Sequence, residues 1–105
     1  MANSPTQRSL AYLRAQGYTV AIVEHWNAYA RIRQDLFGIV DLLALRDDET
    51  LAVQTTSAAN VSARVTKIDE SEHIAAIRKA GWRVIVHGWR KSRDGKWIVR
   101  EVDCS

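Results

Sequence analysis

The chain has 105 residues, with a single cysteine, a single proline and five glycines. One thiol, Cys104, cannot build a disulfide framework or a cysteine-based zinc site. It fits a reducing cytoplasm, and its position near the C-terminus reads as part of a frayed tail. No apolar run is long enough to cross a bilayer, and the N-terminus lacks the apolar core of a secretory leader, so neither feature is expected. Internal repeats, low-complexity tracts and linkers are missing too. His25, His73 and His87 have no metal-ligand spacing and no nucleophile to serve, and Ser57 lacks a nucleophile-elbow context. At this length, with 47% hydrophobic residues, one globular domain over residues 1–105 is expected.

What is present is an acid in an apolar strand: Asp41 within Gly38-Ile-Val-Asp-Leu-Leu-Ala-Leu45. A second strand, Thr50-Leu-Ala-Val-Gln-Thr-Thr56, carries its own out-of-place polar group, Gln54. A buried carboxylate is costly without a cation, donors or a metal. The intervening Arg46-Asp-Asp-Glu49 has the composition and length of a hairpin turn. If Leu45 pairs with Thr50, Asp41 lies opposite Gln54, with Cβ atoms about 5 Å apart. Thr56 then sits beside them on the same face. A slip of one residue would destroy this convergence. The residues alone also allow a structural acid paired with Arg31, Arg33 or Arg64, and an amide satisfied by a neighbouring strand.

Around this pair the elements follow from caps and periodicity. Ser4, Pro5 and Gln7 open a helix whose stripe is Leu10, Leu13 and Ala11, and Gly17 ends it. Tyr18 to Val23 reads as a strand, and Glu24 to Gly38 as an irregular, cleft-lining connection. After the hairpin, Asn60 caps a helix with Val61, Val65 and Ile68 inward. The stripe loses phase at Asp69-Glu70-Ser71 and resumes at Ile74 and Ile77, which predicts a kink or two helices before Gly81. Arg83 to Gly88 and Trp97 to Val102 are strands joined by a turn at Asp94-Gly95. Trp26 and Trp82 are expected in the core. The order helix, three strands, helix, two strands predicts an α/β (α+β) domain with a mixed central sheet flanked by helices, not a doubly wound parallel sheet.

Net charge is +3. Arg90, Lys91, Arg93 and Lys96 crowd the last turn between Trp89 and Trp97, and Arg31 and Arg33 precede Asp41. Cations among aromatics suit nucleic-acid contact; the alternative is tryptophans closing the core under a solvated edge.

With this element order, Asp35-Leu-Phe-Gly-Ile-Val-Asp-Leu-Leu-Ala-Leu45 followed by Leu51-Ala-Val-Gln-Thr-Thr-Ser57 resembles the PD-(D/E)XK nuclease superfamily, and within it the small phage and prophage members of VRR type or Holliday-junction-resolvase type. The resemblance implies a restriction-endonuclease-like αβββαββ core and a Mg²⁺ or Mn²⁺ cofactor with no organic cofactor. Asp41 matches the first metal-binding acid. Gln54 stands at the second acid and Thr56 at the lysine that assists the attacking water. An amide oxygen of Gln54 and the Thr55 backbone carbonyl would complete the ligands, with Glu24 or Asp35 adding charge. Lys67 would replace the lysine from the following helix, and Arg64, three residues before it, would clamp phosphate. The implied activity is metal-assisted endonucleolytic hydrolysis of branched or nicked DNA by a cytoplasmic homodimer. The altered positions keep an alternative open: a catalytically inactive nuclease fold that binds nucleic acid or a host protein.

Overall fold

The computed structural model describes residues 4–105. Helix α1, Pro5–Ala15, begins where the Gln7 N–H donates to Ser4 Oγ at 3.1 Å. It buries Ser9, Leu10 and Leu13, whereas Ala11, expected in the stripe, is exposed. Among the described residues the strands are β1 Thr19–Ile22, β2 His25–Asn27, β3 Ile32–Gln34, β4 Leu42–Arg46, β5 Glu49–Ser57, β6 Arg83–Lys91 and β7 Trp97–Asp103. Five form one mixed sheet in the order β1-β4-β5-β6-β7. Only β5 and β6 run parallel, because the chain between them crosses over through a 3₁₀ turn at Ala58–Asn60 and helices α2, Val61–Asp69, and α3, Ile74–Lys79. The loss of phase after Ile68 is therefore a break between two helices. Asn60 occupies the cap position of α2, but its side chain makes no capping bond.

The sheet has a core on each face. Leu10, Leu13, Tyr18 and Val20 pack with Leu42, Ala44, Leu51, Val53 and Ile85 on the α1 side. Ala52, Val84 and Val86 meet Val61, Ile68, Ile74 and Ile77 on the other. Gly88 lets the start of α2 approach β6 closely: a Cβ there would fall 2.2 Å from Val61 Cγ2. That contact sets where the cationic side of α2 stands.

Four expectations change. Residues 24–38 are not irregular but hold a separate two-stranded ribbon, β2–β3, followed by a turn with Phe37 at φ 55° and Gly38 at φ 75°. The strand assigned to 38–45 begins only at Leu42, so Asp41 sits at its mouth; the Leu36–Val40 bridge has bent the preceding chain away. Trp26 lies on the exposed ribbon and is 60% accessible, while Trp82 is half-buried against the core. Cys104 is buried among Val84 and its neighbours, because its N–H donates to Val84 O at 2.7 Å and Arg78 holds its carbonyl. No helix among the described residues is long and apolar enough to cross a membrane.

Candidate metal centre and its cleft

Arg46 pairs with Glu49 around a two-residue turn, and this register places Leu45 opposite Thr50 and Leu42 opposite Val53. One step further, the Asp41 N–H donates to Val53 O at 2.9 Å, so Asp41 meets Gln54 where β4 begins. Three donors converge on Asp41 Oδ2: Gln54 Nε2 at 2.7 Å, the Thr55 N–H at 2.7 Å and Thr55 Oγ1 at 3.1 Å. The N–H and C=O of one strand residue leave the same strand edge. The Thr55 carbonyl therefore faces the same opening. Thr55 Oγ1 is in turn 2.8 Å from Thr6 Oγ1, which ties the first turn of α1 to the site.

Two more acids arrive from the segment that links β1 to β4. Glu24 leaves the end of β1, and Asp35 follows β3; with Asp41 they bring carboxylate oxygens within 4.8 Å of one another. Burial, and then a shared proton and repulsion with Asp41, push Glu24 up to about 6. The same causes in the same order push Asp35 up to about 6. Cations oppose the shift only in part. Arg33, mostly in solvent, lies 3.5 Å from Glu24, and Lys67 Nζ, about half in solvent, lies 3.8 Å from Asp35 Oδ2. These residues line a cleft of about 400 Å³ together with Thr55, Thr56, Ser57 and Arg64.

Gln54 differs from its expected role. Its Nε2 donates to Asp41 and, more weakly, lies 3.5 Å from Asp35 Oδ2, while its buried Oε1 has no partner among the described residues. Facing two carboxylates, an amide gains by presenting its N–H₂ group, and only a half-turn of the amide would offer the oxygen to a cation. The donor set otherwise fits a hard divalent ion: clustered carboxylate oxygens, an outward-facing carbonyl, and two carboxyl groups that resist ionisation without added positive charge.

The distribution of the remaining expected residues is uneven. Asp41, Gln54, Thr55, Thr56, Glu24, Asp35, Arg33, Arg64 and Lys67 meet at or beside the cleft. Arg31 is exposed at the ribbon's tip. Arg90, Lys91, Arg93 and Lys96 lie on the exposed β6–β7 hairpin, outside the cleft's lining. There Trp97 is covered by the Arg8 guanidinium, 3.4 Å from its ring centroid, and Trp89 is buried. Sequence reasoning missed Thr6, whose only local signal was its place in a well-capped first turn. No family model matches the chain, and neither curated proteins nor solved structures give a significant match.

Proposed function

We propose that this chain is a divalent-metal-dependent endonuclease with a restriction-endonuclease-like core, acting on branched or nicked DNA. The observation that carries the reading is the clustering of Glu24, Asp35 and Asp41 beside Arg33, Arg64 and Lys67 in one cleft. Carboxylates alone repel a phosphodiester and cations alone only bind it, whereas the two together suit a metal and its phosphate ligand. Asp41, Asp35 and Glu24 would hold Mg²⁺ or Mn²⁺, with the Thr55 carbonyl and, after an amide half-turn, Gln54 Oε1 as neutral ligands. The ion would polarise the phosphoryl oxygen and lower the pKa of a bound water. Lys67 takes the place that Thr56 cannot fill, and Arg64 and Arg33 hold the phosphate in position. A single cleft cuts one strand, so cleavage of both strands calls for a homodimer.

Purified protein is expected to nick supercoiled plasmid with Mn²⁺ or Mg²⁺, and Asp41→Ala to reduce nicking to the no-enzyme level. Equal nicking by Asp41→Ala would reject the assignment. Gln54 supports a second reading. Its amide already satisfies Asp41 and Thr56 supplies no ammonium, as suits an inactive nuclease-like domain that binds nucleic acid or a host protein. That reading is distinguished by salt-sensitive DNA binding with no metal-stimulated cleavage, unchanged by Asp41→Asn.

A further inference from the structure

The β2–β3 ribbon belongs to neither core, yet it carries large apolar side chains in solvent. Trp26 is 60% accessible, Ile32 50%, and Tyr29, in the loop at the tip, fully so. A ribbon with strands of three residues is marginal by itself, and exposed aromatics are a liability unless something covers them. Its tip is nonetheless built to a fixed shape. Asn27 Oδ1 accepts from the N–H groups of Tyr29 at 3.0 Å and Ala30 at 3.1 Å, and Asn27 Nδ2 donates to Gln34 Oε1 at 3.2 Å. The backbone that carries Tyr29 is thus tied into the turn, and its ring stands in solvent.

The ribbon's register decides what lies beside these rings. Trp26 pairs with Arg33, so the indole and the guanidinium share a face of the ribbon. Arg33 also reaches Glu24 at 3.5 Å and lines the carboxylate cleft. Arg31 adds a second exposed cation in the turn, while Ile32 pairs with Asn27 and so lies on the ribbon's other face. Planar apolar surface therefore runs into positive charge, and positive charge runs into the cleft.

We infer that the β2–β3 ribbon is a stacking platform for unpaired nucleotides, with Trp26 and Tyr29 taking base faces and Arg33 passing the adjoining phosphate to the cleft. The inference rests on the cleft acting on DNA, and it names the feature of the substrate that the protein reads. Base faces are hidden inside a paired duplex and become available only at flaps, branch points and frayed nicks. A flat aromatic face rewards that exposure without regard to base identity, and neighbouring guanidinium groups supply the phosphate contact.

The test compares binding to a short duplex with binding to the same duplex bearing an unpaired flap, by fluorescence anisotropy without divalent ions. Wild type is expected to favour the flapped DNA by at least about tenfold, the effect of one stacked base, and by more where both rings are filled. Trp26→Ala with Tyr29→Ala should abolish that preference while leaving duplex affinity nearly unchanged. Trp26→Phe with Tyr29→Phe, which keeps planar rings, should retain most of it. A wild type without preference overturns the inference. So does an alanine pair that keeps the preference, the result expected if the ribbon serves a protein partner, or a phenylalanine pair that loses it as fully as the alanine pair. Mn²⁺-dependent plasmid nicking is scored separately. Its absence in wild type removes the nuclease reading but leaves the binding ratio to decide the role of the ribbon.

Discussion

Two buried polar clusters sit on this sheet, and they are built on opposite principles. On the α1 side, Trp89 Nε1 donates to Ser9 Oγ at 2.9 Å, and the Ser9 hydroxyl lies 2.9 Å from His87 Nδ1. The Ser9 hydroxyl thus bridges the indole and the imidazole, whose Nε2 lies 3.4 Å from Glu101. Tyr12 donates to the same carboxylate at 2.8 Å. This knot is a chain of donors and acceptors with one acid at its solvent end. In the cleft, three acids face one amide, Arg33 and Lys67 pair with two of them from the solvent side, and Arg64 joins the lining. The first cluster has one acid and leaves a buried imidazole nitrogen, His87 Nε2, without a hydrogen-bond partner among the described residues; the second sets three carboxylates against one another, a repulsion that a proton or a bound cation relieves. Although the knot contains a serine, a histidine and a glutamate, Ser9 and His87 are fully buried, which keeps the hydroxyl and the imidazole from solvent.

The contrast can be broken first at Gln54. Gln54→Glu adds a fourth carboxylate and removes the donor from Asp41, and we expect a loss of about 3 kcal/mol in urea denaturation without divalent ions. Mn²⁺ should restore most of that loss and bind more tightly than to wild type. A variant that Mn²⁺ does not rescue would mean that position 54 offers no oxygen to a cation. Ser9→Ala strands two buried ring nitrogens, at a cost of about 2 kcal/mol that no divalent ion should recover. If Mn²⁺ rescues Ser9→Ala as well, the two clusters are not independent.

The clusters should also respond to pH with opposite sign. Glu24 and Asp35, both raised to about 6, bind protons more readily in the folded chain than in the unfolded one. Their contribution is therefore favourable in acid and is lost as pH rises through about 6. Burial lowers His87 from its ordinary value, with Glu101 opposing. Its contribution is thus present above the ordinary histidine range and lost as pH falls. Mn²⁺ should raise the Tm by a few degrees at pH 7.5 and scarcely at all near pH 4.5, where protons already neutralise the acids. An equal rise at both pH values would place the metal elsewhere. The smallest effect is expected at Lys67, whose ammonium is half in solvent. Lys67→Met should raise the Asp35 titration midpoint in NMR yet change stability by less than about 0.5 kcal/mol.

How far the residues foretold this arrangement depends on how local each signal was. The helix starts and stops at Ser4, Gly17 and Gly81, the break after Ile68, and the turn at Asp47 and Asp48 were all legible, because caps and turns act within a few residues. The Trp26–Arg33 ribbon was not. Its strands are too short for a period-two pattern, and its aromatics imitate a core segment. Cys104 likewise looked like a loose end, since the bonds that bury it come from Val84 and Arg78, some twenty residues earlier. In the cleft, Glu24 and Asp35 had no sequence feature marking them beyond lying in a polar stretch before Asp41. Ser9 and His87 carry no mutual signal across a separation of 78 positions.

The amino-acid sequence by itself determined that Asp41 would meet Gln54, because a two-residue turn and the twofold alternation of strands leave one register that buries the apolar neighbours of both. Tertiary structure alone decided the company they keep. The return of the chain from the ribbon brings in Glu24 and Asp35, and the close approach of α2 over Gly88 brings in Arg64 and Lys67. Such contacts depend on the placement of whole elements in space, which leaves no periodicity for a linear sequence to display.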